Sequence, residues 1–281
     1  MISQLKEKLR EKRLKNQLKR KFEEYGYEIN KFPIDGIGEI RYAQWMHPFE
    51  KLKIISEPEI SFYRQFSNDG GMIIDIGAHT GDTTLHMALA VGKGGLVLGI
   101  EPNKYVYKIL EKNAALNHEL TNIVPLCFAA TKEEGDFTFN YSDASFCNGG
   151  YLSQIQRQNH KHKYTLEVQG KNIQDFLFAY YKKDLDRLNL IKIDAEGYDK
   201  EILKTIPEIL WKYKPFLIIE CYNKLNSIER MELFDTVHDF GYKLFHLENF
   251  NRLIKLQEIR RHQMNDRKHF DILAIHKDRE E

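Results

Sequence analysis

Cysteine is scarce in this chain: Cys127, Cys147 and Cys221 are the only three in 281 residues, and no two form a C-x-x-C pair. That excludes a disulfide framework and a cysteine-built zinc site, and it fits a reducing compartment, so a cytoplasmic protein is expected. An excess of charge of one sign is missing too, because 42 Lys+Arg against 41 Asp+Glu leave +1. A protein held to nucleic acid by charge carries a clearly basic domain or stripe, so no bulk nucleic acid is expected as a partner. No apolar run approaches the roughly 18 residues of a membrane span, and the first residues lack the apolar core of a signal peptide. Repeats and low-complexity tracts are absent. What is present, 42% hydrophobic and 12% aromatic residues, is a globular composition. The length suits one generous domain or two small ones.

Residues 1–24 differ from everything after them. Ile2, Leu5, Leu9, Leu14, Leu18 and Phe22 recur every three to five positions among nine basic and four acidic residues, the pattern of an amphipathic helix. Such a helix is a solvated element laid on the domain or on a partner subunit, or a weak anchor on an anionic membrane surface. It is set apart from the motifs below and is expected to be dispensable for ligand binding. Residues 25–68, with Gly26, Pro33, Gly36, Gly38 and Pro48, read as an irregular cap leading to a helix near 57–66. The expected division is therefore an N-terminal helix and cap over 1–68 and a main domain over 69–281.

From Gly70 onward, short β-rich apolar runs alternate with helix-like stretches. The runs are Met72–Ile76, Leu96–Ile100, Ile123–Phe128, Leu188–Ile193 and Phe216–Cys221, and the helical stretches include 82–91, 104–116, 198–206 and 226–240. This alternation predicts an α/β fold with a doubly wound, mostly parallel sheet. Tyr242–Leu247 and His269–His276 have only a charged, loop-like segment between them, which predicts an antiparallel hairpin at one sheet edge.

The strongest local signal is Met72-Ile-Ile-Asp-Ile-Gly-Ala-His-Thr-Gly-Asp-Thr-Thr84, an apolar strand running through Gly77 and Gly81 into a helix. Glycines at such a junction let the backbone turn tightly and a ligand press against it. The spacing departs from G-x-G-x-x-G, however: His79 and Asp82 hold the second and third glycine positions. A side chain and a carboxylate there oppose the pyrophosphate of a dinucleotide and favour a ligand without phosphate and with a positive centre. Asp75 can accept from an ammonium group directly or through water, or it is a loop-capping carboxylate. His79 fits a left-handed turn position, with proton transfer as a lesser reading.

The next strand ends in Glu101-Pro102-Asn103, where this kind of sheet places an acid against ribose hydroxyls. Phe128 and Ala129, at the end of the third strand, offer an apolar slot for a purine. The fourth strand delivers Asp194-Ala195-Glu196-Gly197-Tyr198-Asp199, whose first two carboxylates, Asp194 and Glu196, leave the ligand-binding edge of the sheet. Paired carboxylates there serve acid–base work or hold a divalent ion. The competing reading is that Glu196 and Asp199 only favour a helix N-terminus.

Asp-Ile-Gly-Ala-His-Thr-Gly (75–81), Glu-Pro-Asn (101–103) and Ile-Lys-Ile-Asp-Ala-Glu-Gly-Tyr (191–198) resemble the FkbM-type methyltransferases, S-adenosylmethionine-dependent enzymes with a Rossmann-like fold. The resemblance runs from about Gly70 to Ile275. It implies methyl transfer to a hydroxyl, commonly on a sugar, glycan or polyketide-like small molecule. It also implies that Asp75, Gly77, Ala78, His79, Thr80, Gly81, Glu101, Pro102 and Asn103 hold the cofactor. The residue-level reading agrees, since S-adenosylmethionine has a sulfonium, an amino-acid tail, a ribose and an adenine but no phosphate. Asp194 or Glu196 is the expected base, with His79 third; a divalent metal is compatible with the pair, but no dedicated metal site is expected. His160 and His162 alternate with lysine and read as a solvated loop, within a long polar segment, Tyr141–Lys163, expected to cover the acceptor. His238 and His246 read as packing residues. An RNA methyltransferase and a non-catalytic cofactor-cleft module are the alternatives.

Overall fold

The structure is a computed structural model, and it describes residues 12–14, 16–147, 150–152, 164–251 and 256–279. Residues 12–14 and 16–18 are helical. Next come β1 (Tyr27–Ile34), β2 (Gly38–Trp45), α1 (Glu57–Arg64), β3 (Met72–Ile76), α2 (Asp82–Val91), β4 (Leu96–Ile100) and α3 (Lys104–Leu116). The middle of the chain forms β5 (Ile123–Leu126), β6 (Ala129–Ala130), β7 (Gly135–Tyr141), β8 (Tyr151–Leu152), β9 (Tyr164–Lys171), α4 (Ile173–Tyr180) and β10 (Leu188–Ile193). The last part forms α5 (Asp199–Lys204), α6 (Pro207–Tyr213), β11 (Phe216–Cys221), α7 (Ser227–Asp239), β12 (Tyr242–Leu247), β13 (Gln257–Glu258) and β14 (Phe270–His276).

The main sheet has the order β13-β12-β14-β11-β10-β3-β4-β5. The run from β11 through β10, β3 and β4 to β5 is parallel, whereas β14 is antiparallel to β11 and to β12. The chain winds outward from β3 in one direction, then resumes at β10 and winds outward in the other. The carboxyl ends of β3 and β10 therefore flank a topological switch point, where a doubly wound sheet opens a crevice. The late antiparallel pair is present, but β14 inserts between β11 and β12, so β12 and the short β13 form the edge.

One apolar layer lies on each face of the sheet. Ile74, Leu98, Ile191 and Ile219 pack with Leu177, Ile202, Leu210 and Leu233 from α4–α7. On the opposite face Ile73, Val97, Leu190 and Ile218 pack with Leu85 of α2, Ile60 and Phe62 of α1, and Ile40 and Tyr42 of β2. Residues on either side of position 68 thus share one core.

The expected irregular cap is instead a regular hairpin, with β1 and β2 paired from Tyr27↔Trp45 to Ile34↔Gly38. Gly36 and Gly38 supply its turn at φ +76° and +116°. Two asparagines, Asn113 of α3 and Asn117 at its C-cap, satisfy the backbone of β2 on its other side. Asn117 bonds the N–H and C=O of Arg41 at 3.0 and 2.7 Å, and Asn113 does the same for Ala43 at 2.6 and 3.2 Å.

Two further boundaries differ from expectation. The third strand stops at Leu126, because Ala129–Ala130 leave it to join a second sheet of order β6-β9-β7-β8. The helix expected over 198–206 ends at Lys204, and Pro207 starts another in its first turn, where a missing N–H costs nothing. His238, read as a packing residue, stacks over Phe234 at 5.6 Å on the exposed side of α7. Among the described residues no helix is long and apolar enough to cross a membrane.

Candidate active site

β3 runs directly into the turn that opens α2. Gly77 and Gly81 sit at φ +83° and +86°, and His79 between them takes the left-handed conformation at φ +49°. A Cβ on Gly77 would be driven into the carbonyl of Asp194, so this position requires glycine because two chain segments touch there. The N–H groups of Gly77 and Ala78 both point at the Ile100 carbonyl, at 3.0 Å, which fixes the turn against β4.

Glu101 is the hub of the next turn. Its carboxylate accepts from the His79 N–H at 2.9 Å and from the Asn103 N–H at 2.8 Å. Two donors leave about half of the acceptor capacity of a carboxylate open. Burial pushes the Glu101 carboxyl up to about 7, against the pull of those two N–H bonds. Asn103 in turn caps α3 by accepting from Tyr105 N–H, and its amide donates to the Phe146 carbonyl at 2.7 Å.

A cavity of about 380 Å³ lies over these turns, within the usual size of a small-molecule site. Gly77, Ala78, His79, Glu101, Pro102, Asn103, Phe128, Ala129, Asp194 and Glu196 all line it. Asp75, Thr80 and Gly81 stand behind its wall. Asp75 is fully buried, accepts from the Thr84 hydroxyl at 2.7 Å, and faces the Lys192 ammonium at 3.5 Å, which leaves no direct path to an ammonium in the cleft. Thr80 shares a hydrogen bond of 2.7 Å with the Tyr42 hydroxyl, and Gly81 packs on Leu110.

The fourth-strand turn is held by its own residues. Asp199 accepts from the N–H groups of Gly197 at 3.0 Å and Ala195 at 3.4 Å, and burial together with the nearby Asp194 pushes its carboxyl up to about 8. This fold of the chain leaves Glu196 and Gly197 consecutively left-handed, at φ +52° and +93°. A glutamate in that region is strained, and such strain gathers at functional sites. Burial raises the pKa of Glu196. Asp194 is half-exposed, with Lys192 Nζ 3.3 Å from its Oδ2.

Among the charged contributors to the cleft that sequence reasoning missed are Lys192, Glu50 and Lys53. Lys192 carried a readable signal, as the one charged residue in the strand Leu188–Ile193. Glu50 and Lys53 carried none, because they lie in a stretch without regular structure. Lys53 pairs with Asp82 at 3.0 Å and Glu50 at 3.5 Å, and His79 Nε2 stands 4.0 Å from Glu50. Burial lowers the pKa of His79 and favours its neutral imidazole.

The N-terminal segment is not set apart either. Ala144 N–H donates to the Lys19 carbonyl at 2.9 Å, Glu23 N–H to the Ser145 hydroxyl at 2.9 Å, and the Phe22 ring contacts Tyr105 and Phe146. Of the long polar segment, Tyr141, Phe146, Cys147, Gly150 and Leu152 line the cleft. Asn148, Gly149 and residues 153–163, with His160 and His162, lie outside the described residues. Among the described residues no group of three or more His, Cys, Asp and Glu side chains is arranged to hold a metal ion.

These residues fit S-adenosylmethionine better than a dinucleotide. Glu101 keeps open acceptor sites for vicinal hydroxyls, Phe128 and Ala129 give an apolar wall, and His79 and Asp82 occupy the positions a pyrophosphate needs.

The Methyltransferase FkbM domain matches residues 75–244, more than half of the chain. Methyltransferase sdnD of Sordaria araneosa is 26% identical over 171 residues, covering 53% of this chain and 66% of that protein, just short of two thirds of its length. The methyltransferase FkbM structure from Methylobacillus flagellatus KT superposes with a TM-score of 0.45 at 13% identity, over 76% of this chain and 50% of that one. Aeropyrum pernix fibrillarin, solved with natively bound S-adenosyl-L-methionine, gives 0.44 at 12% identity over 91% and 99%. On the extent of the domain match, the chain belongs to the FkbM family of S-adenosylmethionine-dependent methyltransferases.

Proposed function

We propose that this protein transfers a methyl group from S-adenosylmethionine to a hydroxyl of a sugar, glycan or other small-molecule acceptor. A carboxylate of the Asp194–Glu196 turn takes the hydroxyl proton in this reading. The observation that carries it is that both carboxylates open on the same cavity as Glu101, Phe128 and Ala129.

When bound, the cofactor supplies an electrophilic methyl group on a sulfonium. Glu101 accepts from ribose hydroxyls through the sites its two backbone donors leave open, and Phe128 and Ala129 flank the base. Displacement at carbon needs nucleophile, methyl and leaving sulfur in line, so most of what the protein contributes is alignment. An alcohol must also shed its proton as it attacks. Asp194 is held toward the cleft by Lys192, and burial raises the proton affinity of Glu196 above that of an ordinary carboxylate, which favours its taking a proton. His79, neutral and in the same cavity, is third in line.

The test is incubation of the purified protein with S-adenosylmethionine and a panel of monosaccharides, glycans and polyketide-like alcohols, read by mass spectrometry. A gain of one methyl on a hydroxyl, reduced in Asp194→Asn or Glu196→Gln, is the expected result. Methylation confined to amines, thiols or RNA would overturn the choice of acceptor.

A further inference from the structure

Asp75 cannot serve the amino-acid tail of the cofactor directly, because it is fully buried and its two oxygens face Thr84 and Lys192. The tail carries a carboxylate and an ammonium, and both need partners in the cavity. Glu101, Phe128 and Ala129 suit the ribose and the base, not a zwitterion.

A second charged group lines the same cavity, and it comes from outside the matched residues 75–244. Lys53 Nζ lies between Asp82 at 3.0 Å and Glu50 at 3.5 Å. Burial works against its charge, but Asp82 and Glu50 outweigh it and hold the lysine ionised. One cation thus faces two carboxylates. The Glu50 side chain is only 7% exposed, and its Oε1 has no hydrogen-bond partner although Lys53 is near. A buried carboxylate oxygen left without a donor is costly, and an ammonium is the group that would satisfy it.

We propose that Lys53 and Glu50, with Asp82, form a clamp for a zwitterionic α-amino-acid group, the methionine tail of the cofactor. Lys53 takes the tail carboxylate, and Glu50 and Asp82 take its ammonium. The inference rests on the reading of this cavity as the cofactor site. It makes the segment at 50–53 a determinant of which adenosine thioether the cleft retains.

Calorimetry on the full chain, with two ligands, separates this clamp from a merely structural ion pair. S-Adenosylhomocysteine carries the amino-acid tail; 5′-methylthioadenosine has the same adenosine and thioether without it. Lys53→Met and Glu50→Gln should each weaken S-adenosylhomocysteine by about 10–100-fold, the range for hydrogen bonds to charged groups. Methylthioadenosine should bind wild type and variants alike, which also reports that the variants are folded. Lys53→Arg should keep most of the preference, and Glu50→Gln carries the test if Lys53→Met does not fold. Variants that retain the wild-type preference for S-adenosylhomocysteine, or that lose both ligands equally, overturn the clamp. A wild-type protein that binds neither ligand overturns the cofactor reading and the clamp with it.

Discussion

The Lys192 ammonium lies 3.3 Å from Asp194 Oδ2, and it is the link between a buried carboxylate and an exposed one. On its other side Asp75 Oδ1 stands at 3.5 Å, in a position with no exposure. Burial opposes a charged lysine, yet Asp194 and Asp75 together hold its pKa above that of an ordinary lysine. Removing one partner of a buried pair is more costly than never having had the pair, because the other charge is left uncompensated. Lys192→Met should therefore lower unfolding free energy by about 3–5 kcal/mol in urea titration. Lys192→Met combined with Asp75→Leu should recover most of that loss. Equal instability of the single and double variants would mean that packing, not charge, sets the effect.

Asp194 itself should matter to turnover rather than to cofactor affinity. It follows the fourth parallel strand, whereas the ribose end is assigned to Glu101 after β4. Asp194→Asn keeps the shape and removes the charge, and positioned proton transfer contributes about 10²–10⁴-fold in rate. A fall in kcat of that size, with S-adenosylhomocysteine affinity nearly unchanged, is expected on an identified acceptor. If both Asp194→Asn and Glu196→Gln keep full turnover, His79 or alignment without a protein base takes precedence.

Glu101 should make cofactor affinity depend on pH near neutrality. Burial raises its carboxyl to about 7 from an ordinary value of 4.5. Only the ionised form offers all its lone pairs, so affinity for S-adenosylhomocysteine should weaken as pH falls through about 7, by up to about tenfold per unit. Stability of the ligand-free protein runs the other way. The unfolded chain ionises near 4.5 and the folded one near 7, so the contribution of this group to stability is present below 4.5 and is lost as pH rises through 7. The loss amounts to about 3 kcal/mol at most. Glu101→Gln should flatten both profiles; calorimetry and thermal melts between about pH 5 and pH 8 would read them.

The legible part of this protein is local, and the missed part is long-range. Gly77 and His79 can be read because a tight turn between an apolar strand and a helix demands unusual backbone, and the residues that tolerate it are few. Glu101 and Asp194 follow from their place after strands whose own pattern is plain. Lys192 was readable in principle, as the single charge in an apolar strand, but its meaning depends on Asp75 in the neighbouring strand. The β1–β2 hairpin was hidden because Pro33, Gly36 and Gly38 suggest irregularity, and its support comes from Asn113 and Asn117 some 70 residues away. Glu50 and Lys53 reach the cleft by the same route. Nothing within their own segment indicates that α2 will stand beside them.

The same contrast bears on the N-terminal segment, which the sequence marks as separable. The Phe22 ring centroid lies 5.2 Å from that of Tyr105 and 6.0 Å from that of Phe146, and Tyr105 and Phe146 are themselves stacked at 5.4 Å. The Phe146 carbonyl accepts from Asn103, whose backbone N–H donates to Glu101. A chain of contacts therefore runs from residue 22 to Glu101 in the cleft. Aromatic pairs of this kind contribute about 0.5–1.5 kcal/mol beyond the area they bury, equivalent to about 2–10-fold in a binding constant. Deleting residues 1–15 should leave S-adenosylhomocysteine affinity unchanged, since every contact named above stays. Deleting residues 1–24 should weaken it by about 2–10-fold while circular dichroism stays that of a folded protein, and Phe22→Ala in the full chain should reproduce most of the effect. If the 1–24 deletion binds as tightly as the full chain, Phe22 rests on the cleft wall without holding it, and the segment is separable as its sequence suggests.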